Sequence, residues 1–527
     1  MSAQSSPRIN KVKLTSNNSN IKTIAQTYPK LYLEAPVRQQ ELVNKVSGVT
    51  ITKTTNELPS YLIKAGTASE LRSKFTIPAI PIYPFFQTYG GAYSDYGFAI
   101  TRTTDGNYIF GGHTYSFLPA GRPILLIKIN DYGEMIWSKT YGGGGTEYIR
   151  AIAPDPNGGY ILSGFSTSSS AGDRDLLLFH ISENGSLNWA RVIGSTGRDE
   201  LRGAFRTQDG GIISAGFTYS FGSPTPQPIV VKLNADLGID FAYVYNFEYP
   251  TVFWDLVPTP DGKYLAVGRD DLLGVSPYFT GIVAKIDSDG SLIWARRIYG
   301  NDEVIFYSCT PIGNGEYVLG GDTVGFGAQD ADIFLVKIND SGELIKGIIA
   351  GGVLSEWILK VHCDANGNII VVGCGDSFDY IDELGCREVF IGSFDRGLNL
   401  INFSVLGGIL IRDQLEELRD VTTTFDGGYI SVGHGNRYGH AGFNIYVIKV
   451  NQDLLIEGCP ILRHVSLTPT EVEPSVEELY PTIIDVKNDL TIGTPNYTSY
   501  DVQPIVIDGC AQAAQGGVWS IYMEEWH

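Results

Sequence analysis

Residues 103–112 read TTDGNYIFGG, and the phrase returns six times: DPNGGYILSG at 155–164, TQDGGIISAG at 207–216, TPDGKYLAVG at 259–268, IGNGEYVLGG at 312–321, DANGNIIVVG at 364–373 and TFDGGYISVG at 424–433. The turn residues Asp105, Asn157, Asp209, Asp261, Asn314, Asn366 and Asp426 follow one another at 52, 52, 52, 53, 52 and 60 residues. A near-constant period of this length marks a repeat architecture, each unit being one supersecondary element. Asp-Gly or Asn-Gly supplies the positive-φ positions of a tight hairpin turn, and the alternating residues after it, such as Tyr108 and Phe110, read as a strand. Seven residues beyond each turn residue stands a glycine: Gly112, Gly164, Gly216, Gly268, Gly321, Gly373 and Gly433. A glycine repeated at one strand position signals a bulge or a close backbone approach.

Outward from the phrase, a further apolar strand follows in each unit, as in LLIKINDYG (125–133) and FLVKINDSG (334–342). The last strand of a unit carries Trp137, Trp189, Phe241 or Trp294 and often closes in Tyr-Gly-Gly, as at 141–143. Seven units of four antiparallel strands predict an all-β chain, a seven-bladed β-propeller whose blades bury their faces against one another. The seventh unit lacks its aromatic strand, and FFQTYGG at 85–91, before the first unit, matches it with Phe85 aligned to Trp137. The ring is therefore expected to close through an N-terminal strand within residues 83–91, removing an open edge. Three segments result. Residues 1–82 form a basic arm with short helices from Pro36 toward Gly48 and from Thr67, residues 83–458 the propeller, and residues 459–527 an acidic Thr/Pro-rich extension interrupted by Pro469, Pro474, Pro481, Pro495 and Pro504.

The composite phrase DGGYI…G…S…L.KID..G...W....YGG over residues 83–458 resembles the glycine-rich repeat propellers of archaeal and bacterial surface or secreted proteins. That resemblance implies an outward-facing, noncatalytic module, and it carries no catalytic residues to transfer. The Gly-His and Trp-Asp marks of WD blades are not seen.

The 527 residues are 43% apolar and 18% charged, which excludes a disordered chain. The net charge of −20 is unevenly spread: residues 1–80 carry +7 and residues 459–527 carry −8. An acidic body argues against nucleic-acid binding by the propeller, and two flanks of opposite charge point to protein partners docked through 1–82 and 459–527. No apolar run approaches the length of a membrane span, and the first 30 residues lack a signal's apolar core. The expectation is a binding, attachment or assembly module on the outer face of a cell or virus particle. Its alternatives are an enzyme at the channel mouth and a cytoplasmic interaction scaffold.

Two repeated positions carry the candidate chemistry. Ahead of each turn stand Asp95, Glu147, Asp199, Glu303, Glu356 and Glu416, with Thr251 in the fourth unit. Such a ring of carboxylates either attracts cations or accepts from turn and neighbouring-blade N–H groups. Further along stand Phe98, Arg150, Arg202, Trp254, Tyr307, Leu359 and Arg419, a position where the fold does not dictate the residue. Arg150, Arg202, Trp254, Tyr307 and Arg419 suit an anionic or glycan ligand, the other reading being packing between blades. Six cysteines suggest three bridges, Cys374–Cys386, Cys459–Cys510 and Cys309–Cys363, or six reduced thiols. No zinc spacing and no nucleophile elbow is present, and Asp287–Gly290 matches a calcium loop only in part, with Ile298 where a glutamate is needed. No metal or cofactor is expected.

Overall fold

The computed structural model describes residues 50–53, 61–64 and 83–514, apart from 118–120, 169–171, 222–223, 273–278, 378–387, 408–414, 441 and 496. The chain divides into two compact units, 1–81 and 82–527. In the first, Thr50–Lys53 pairs antiparallel with Tyr61–Lys64, and the helices expected from Pro36 and Thr67 lie outside the described residues.

The second unit is a seven-bladed propeller. Blade one comprises Asp95–Arg102, Tyr108–Thr114, Ile124–Ile129 and Met135–Gly142, and each later repeat builds the same antiparallel sheet. The two middle strands are buried along nearly their whole length, and wholly so in Tyr160–Ser166 and Asp175–Ile181, because neighbouring blades cover both faces. Fourth strands alternate at their start, as in Leu187–Gly194. Blade seven takes Phe85–Gly90 as its fourth strand, Phe85 facing Lys449 as Trp137 faces Lys128. Closure is made apolar by Tyr89, Ile100, Phe110, Ile127, Ile430 and Val447, which pack between blades seven and one. A tyrosine at one fourth-strand position latches blades together: Tyr89, Tyr141 and Tyr245 donate their hydroxyls to Gly133 O (2.8 Å), Gly185 O (2.6 Å) and Gly290 O (2.5 Å) of the next blade.

Every blade carries the same irregularity. The ladder between its first and second strands slips by one residue, leaving Phe98, Arg150, Arg202, Trp254, Tyr307, Leu359 and Arg419 bulged out of register. The sevenfold glycine lies opposite. A Cβ on Gly112 would stand 1.9 Å from Tyr96 O, and one on Gly268 1.8 Å from Val252 O, so the strand tolerates no side chain there.

The C-terminal extension follows the ring itself. Its strands Leu462–His464, Thr470–Val472, Ser475–Leu479, Thr482–Asp485, Thr491–Gly493, Thr498–Asp501 and Ile505–Asp508 pair in turn with the outer strands of blades six, five, four, three, two, one and seven. Every blade is thus five-stranded, and the tail is a belt running against chain order. The five prolines fall between belt strands or directly before them, where no ladder N–H is required. Buried Val486 and Tyr497 anchor the belt, and its acids meet the ring's cations in the pairs Glu478–Arg296 (2.9 Å), Glu477–Arg297 (2.8 Å) and Asp501–Lys139 (2.8 Å).

Cys459, where the belt begins, is bonded to Cys510, where it ends, 51 residues later, so the belt is a covalently closed hoop. Cys309 and Cys363 are free thiols and do not pair. Cys309 packs in the core shared by blades four and five and Cys363 in that shared by blades five and six, on opposite sides of blade five. Cys386 lies outside the described residues.

Replacing Gly268 by Ala is expected to cost about 3 kcal/mol in urea unfolding because the strand must move, against about 1 kcal/mol for Gly106→Ala, where only a positive φ is strained. Equal losses would refute the close-approach account. The variant Cys459→Ser is expected to lose about 4 kcal/mol, the loop-closure contribution of a crosslink of this span, and reductant is expected to lower the wild-type melting temperature toward that of the variant.

Candidate functional site

The first strand of each blade lines the central channel, and a bulge turns its extra residue toward the axis. The seven bulged residues are partly exposed, whereas the residue preceding each of them is buried. Together with the deeper residues of the same strands they enclose a cavity of about 310 Å³. All five residues expected to meet a ligand, Arg150, Arg202, Trp254, Tyr307 and Arg419, line it.

The guanidiniums are held on carboxylates and rings. Arg150 Nε lies 2.7 Å and Arg202 Nη2 2.9 Å from Glu200 Oε1, and Arg419 pairs with Glu417. Arg174 reaches Glu200 from outside at 3.8 Å. Arg202 lies over the Trp254 ring at 4.1 Å, and Arg150 and Arg419 lie over Phe98 at 4.9 and 5.6 Å. Burial pulls Arg202 down to about 9, Glu200 resisting and the guanidiniums of Arg150, Arg419 and Arg174 adding to the fall. Burial alone would raise Glu200, but Arg202 and Arg150 outweigh it and hold the carboxyl below its ordinary range. Tyr307 hydrogen-bonds Asp322, whose burial raises that carboxyl to about 8.

One residue past the bulge lies a second charged layer. Lys360 Nζ donates to Asp255 Oδ2 at 2.8 Å, as does Ser308 Oγ, and Asp420 accepts from Ile100 N–H at 2.9 Å. Burial would lower Lys360, but Asp255 and Asp420 hold it above its usual value. Asp420 is raised to about 6 by burial, with Lys360 opposing. His362, deeper in the same cavity, is brought down to about 4 by burial and Lys360.

Sequence reading missed this layer and the two glutamates. The available signal was a charged exception at a position where other blades carry small residues: Asp255, Lys360 and Asp420 stand where blades one, two and three have Ala99, Ala151 and Gly203. Glu200 and Glu417 each precede a bulged arginine by two residues.

Five of the six acidic-ring residues, Asp95, Glu147, Asp199, Glu356 and Glu416, open their inner strands with no solvent exposure, and half-buried Glu303 directly precedes its strand. They accept from nearby loops. Asp95 takes Gly91 N–H (2.8 Å), Ser116 Oγ (2.7 Å) and Thr114, while Glu356 takes Gly352 N–H (2.9 Å). The opposite face has its own pattern, unseen in the sequence. The turn residue is Asp wherever its partner on the third strand is a lysine bonded to it, in Asp105–Lys128, Asp209–Lys232, Asp261–Lys285 and Asp426–Lys449. The turns with Asn157 and Asn366 face His180 and Ser393, and Lys337 beside Asn314 turns to Glu316 at 3.0 Å. Among the described residues no group of three or more His, Cys, Asp or Glu is placed to hold a metal ion, and no helix is long and apolar enough to cross a membrane.

These features define a belted seven-bladed propeller with a cationic, aromatic channel. No protein-family model and no curated protein matches the chain. Among solved structures it is similar to Sqt1 of Chaetomium thermophilum (11% identity, TM-score 0.38, 69% of this chain and 97% of that one). It is similar also to a GH93 α-L-arabinofuranosidase of Fusarium graminearum (11%, 0.39, 71% and 99%) and to the NanB sialidase of Streptococcus pneumoniae (10%, 0.33, 76% of each). Likeness this distant brings no activity, substrate or partner to the chain.

The buried acids and histidines predict a stability profile. Asp322 (about 8), Glu356 (about 7), and Asp332 and Asp420 (each about 6) are raised chiefly by burial, so the stability they add is full below the unfolded carboxylate range and is lost as pH rises through 6 to 8. His113, His362 and His434 are lowered by burial, so their contribution is lost as pH falls below that of an unfolded histidine, about 6.5. The melting temperature is expected to decline from about pH 6.5 toward pH 8.5. A temperature still climbing above pH 7 in calorimetry would contradict this assignment.

Proposed function

We propose that the chain is a noncatalytic binding module, presented on the outer face of a cell or virus particle, that takes its ligand at the mouth of the propeller channel. One observation carries the reading: the repeat holds the turn and the glycine nearly constant, while the bulged position changes from blade to blade and collects arginines and aromatics round a single cavity. Residues that packing leaves free and that converge on one space are the ordinary makings of a ligand site. Exterior display is supported by the Cys459–Cys510 bridge, which suits an oxidising setting. With residues 462–508 committed to the belt, docking to partner subunits falls mainly to the basic arm of residues 1–82.

An enzymatic reading draws on one observation, the Asp420 carboxyl in the cavity wall beside Lys360, which burial raises to about 6.

The test is protease shaving of intact cells and released particles, followed by nonreducing peptide mass spectrometry. The expected result is release of propeller peptides from intact material with Cys459 linked to Cys510, and loss of the protein from particles when residues 1–82 are deleted. Recovery only from cytosol, with both thiols free, would overturn the display reading. Turnover of a substrate that Asp420→Asn abolishes without weakening its binding would replace the noncatalytic one.

A further inference from the structure

Three buried donors at the channel, Arg202 Nε, Arg419 Nε and Trp254 Nε1, have no protein acceptor among the described residues. Leaving a buried donor unpaired is costly, and since all three are donors, what suits them is a set of acceptors. The donors are also fixed in advance, because Arg202 is clamped between Glu200 and Trp254 and Arg419 between Glu417 and Phe98. Little ordering cost remains for a ligand to meet.

Charge narrows the choice. Arg150, Arg202, Arg419 and Lys360 line the cavity with Asp255 and Asp420, and Glu200 and Glu417 stand behind the guanidiniums, so the wall is cationic. A cationic wall suits an anion, and a dianionic phosphate would bring more charge against the two nearby glutamates than a single carboxylate does. The guanidinium fork suits a carboxylate. In the next layer Asp255 and Asp420 line the same cavity and are acceptors, the groups that receive hydroxyls. The volume, about 310 Å³, lies at the small end of ligand sites.

We propose that the channel binds an acidic sugar, a single carboxylate carried on a hydroxylated ring, with the carboxylate at Arg202 and Arg419 and hydroxyls toward Asp255 and Asp420. The inference rests on the channel being the binding site, and stands independently of exterior display and of the absence of catalysis.

The experiment is calorimetric titration of the full-length chain with D-glucuronate, D-glucose, acetate and inorganic phosphate. Glucuronate is expected to bind, with glucose and acetate each weaker by about tenfold or more and phosphate weaker than glucuronate. The variant Arg419→Gln, at a partly exposed side chain, is expected to weaken glucuronate by about tenfold while the melting temperature holds. Arg202→Gln is the second variant, its fold checked by circular dichroism. Glucose or acetate binding as tightly as glucuronate, phosphate binding more tightly, no binding of glucuronate, or an unweakened Arg419→Gln would each overturn the assignment. Glucuronate binding by a protein recovered from cytosol would remove the display reading and leave this one standing, while surface recovery without glucuronate binding would do the reverse.

Discussion

Seven times in this chain a glycine must pass within a bond's length or so of where a neighbouring carbonyl oxygen already sits, 1.8 to 1.9 Å from the Cβ it lacks. That contact and the bulge opposite it are one feature. The extra residue in the inner strand adds local twist and pushes the chain toward its partner, which only a bare Cα can receive. The bulged residue is taken out of the ladder's alternation and pointed at the axis. The motif that makes the repeat recognisable is therefore the motif that builds the channel wall, and the residue it frees is the one that varies.

Two electrostatic systems occupy the two ends of the blades and do different work. At the turn end, buried lysines satisfy a turn aspartate of their own blade and reach into the next: Lys128 bridges Asp105 and Glu183, and Lys449 bridges Asp426 and Asp131. Lys449 has no exposed side-chain surface and Asp426 almost none, so removing either partner would strand a buried charge, a loss of about 3–5 kcal/mol. Pairs of this kind fix the angle between blades. In the channel, three donors of cavity-lining residues, Arg202 Nε, Arg419 Nε and Trp254 Nε1, have no protein acceptor among the described residues.

The ring was legible in the sequence because each blade is a local unit whose hairpin turns, strand alternation and buried tyrosine depend on neighbours within about fifty residues. Even closure was legible, since Phe85–Gly90 repeats a pattern missing elsewhere. The belt was not. Its strands are three to five residues long, too short for a periodicity, and most of their partners lie far upstream, as Tyr243–Asn246 does for Thr482–Asp485 and Tyr141 for Ser499. What remained visible were the prolines between strands and the cysteines at both ends, which bound a segment without saying what it lies against. The channel floor was hidden for another reason. Asp255, Lys360 and Asp420 come from blades four, six and seven and make sense only together, since each alone reads as a solvated charge.

The belt also decides where recognition can occur. A propeller of four-stranded blades would present seven outer edges, each a row of unpaired N–H and C=O groups able to recruit another chain. The tail pairs with all seven, and the edge it presents in their place is broken by prolines into runs too short to template a sheet. Because the hoop is closed by a covalent bond, peeling one belt strand leaves both ends attached and the others in place. Strand addition at the rim is thereby blunted all the way round. A ring whose rim is covered and whose blade interfaces are saturated has the channel mouth left as the place where side chains are free to vary, and that is where the arginines and aromatics are found.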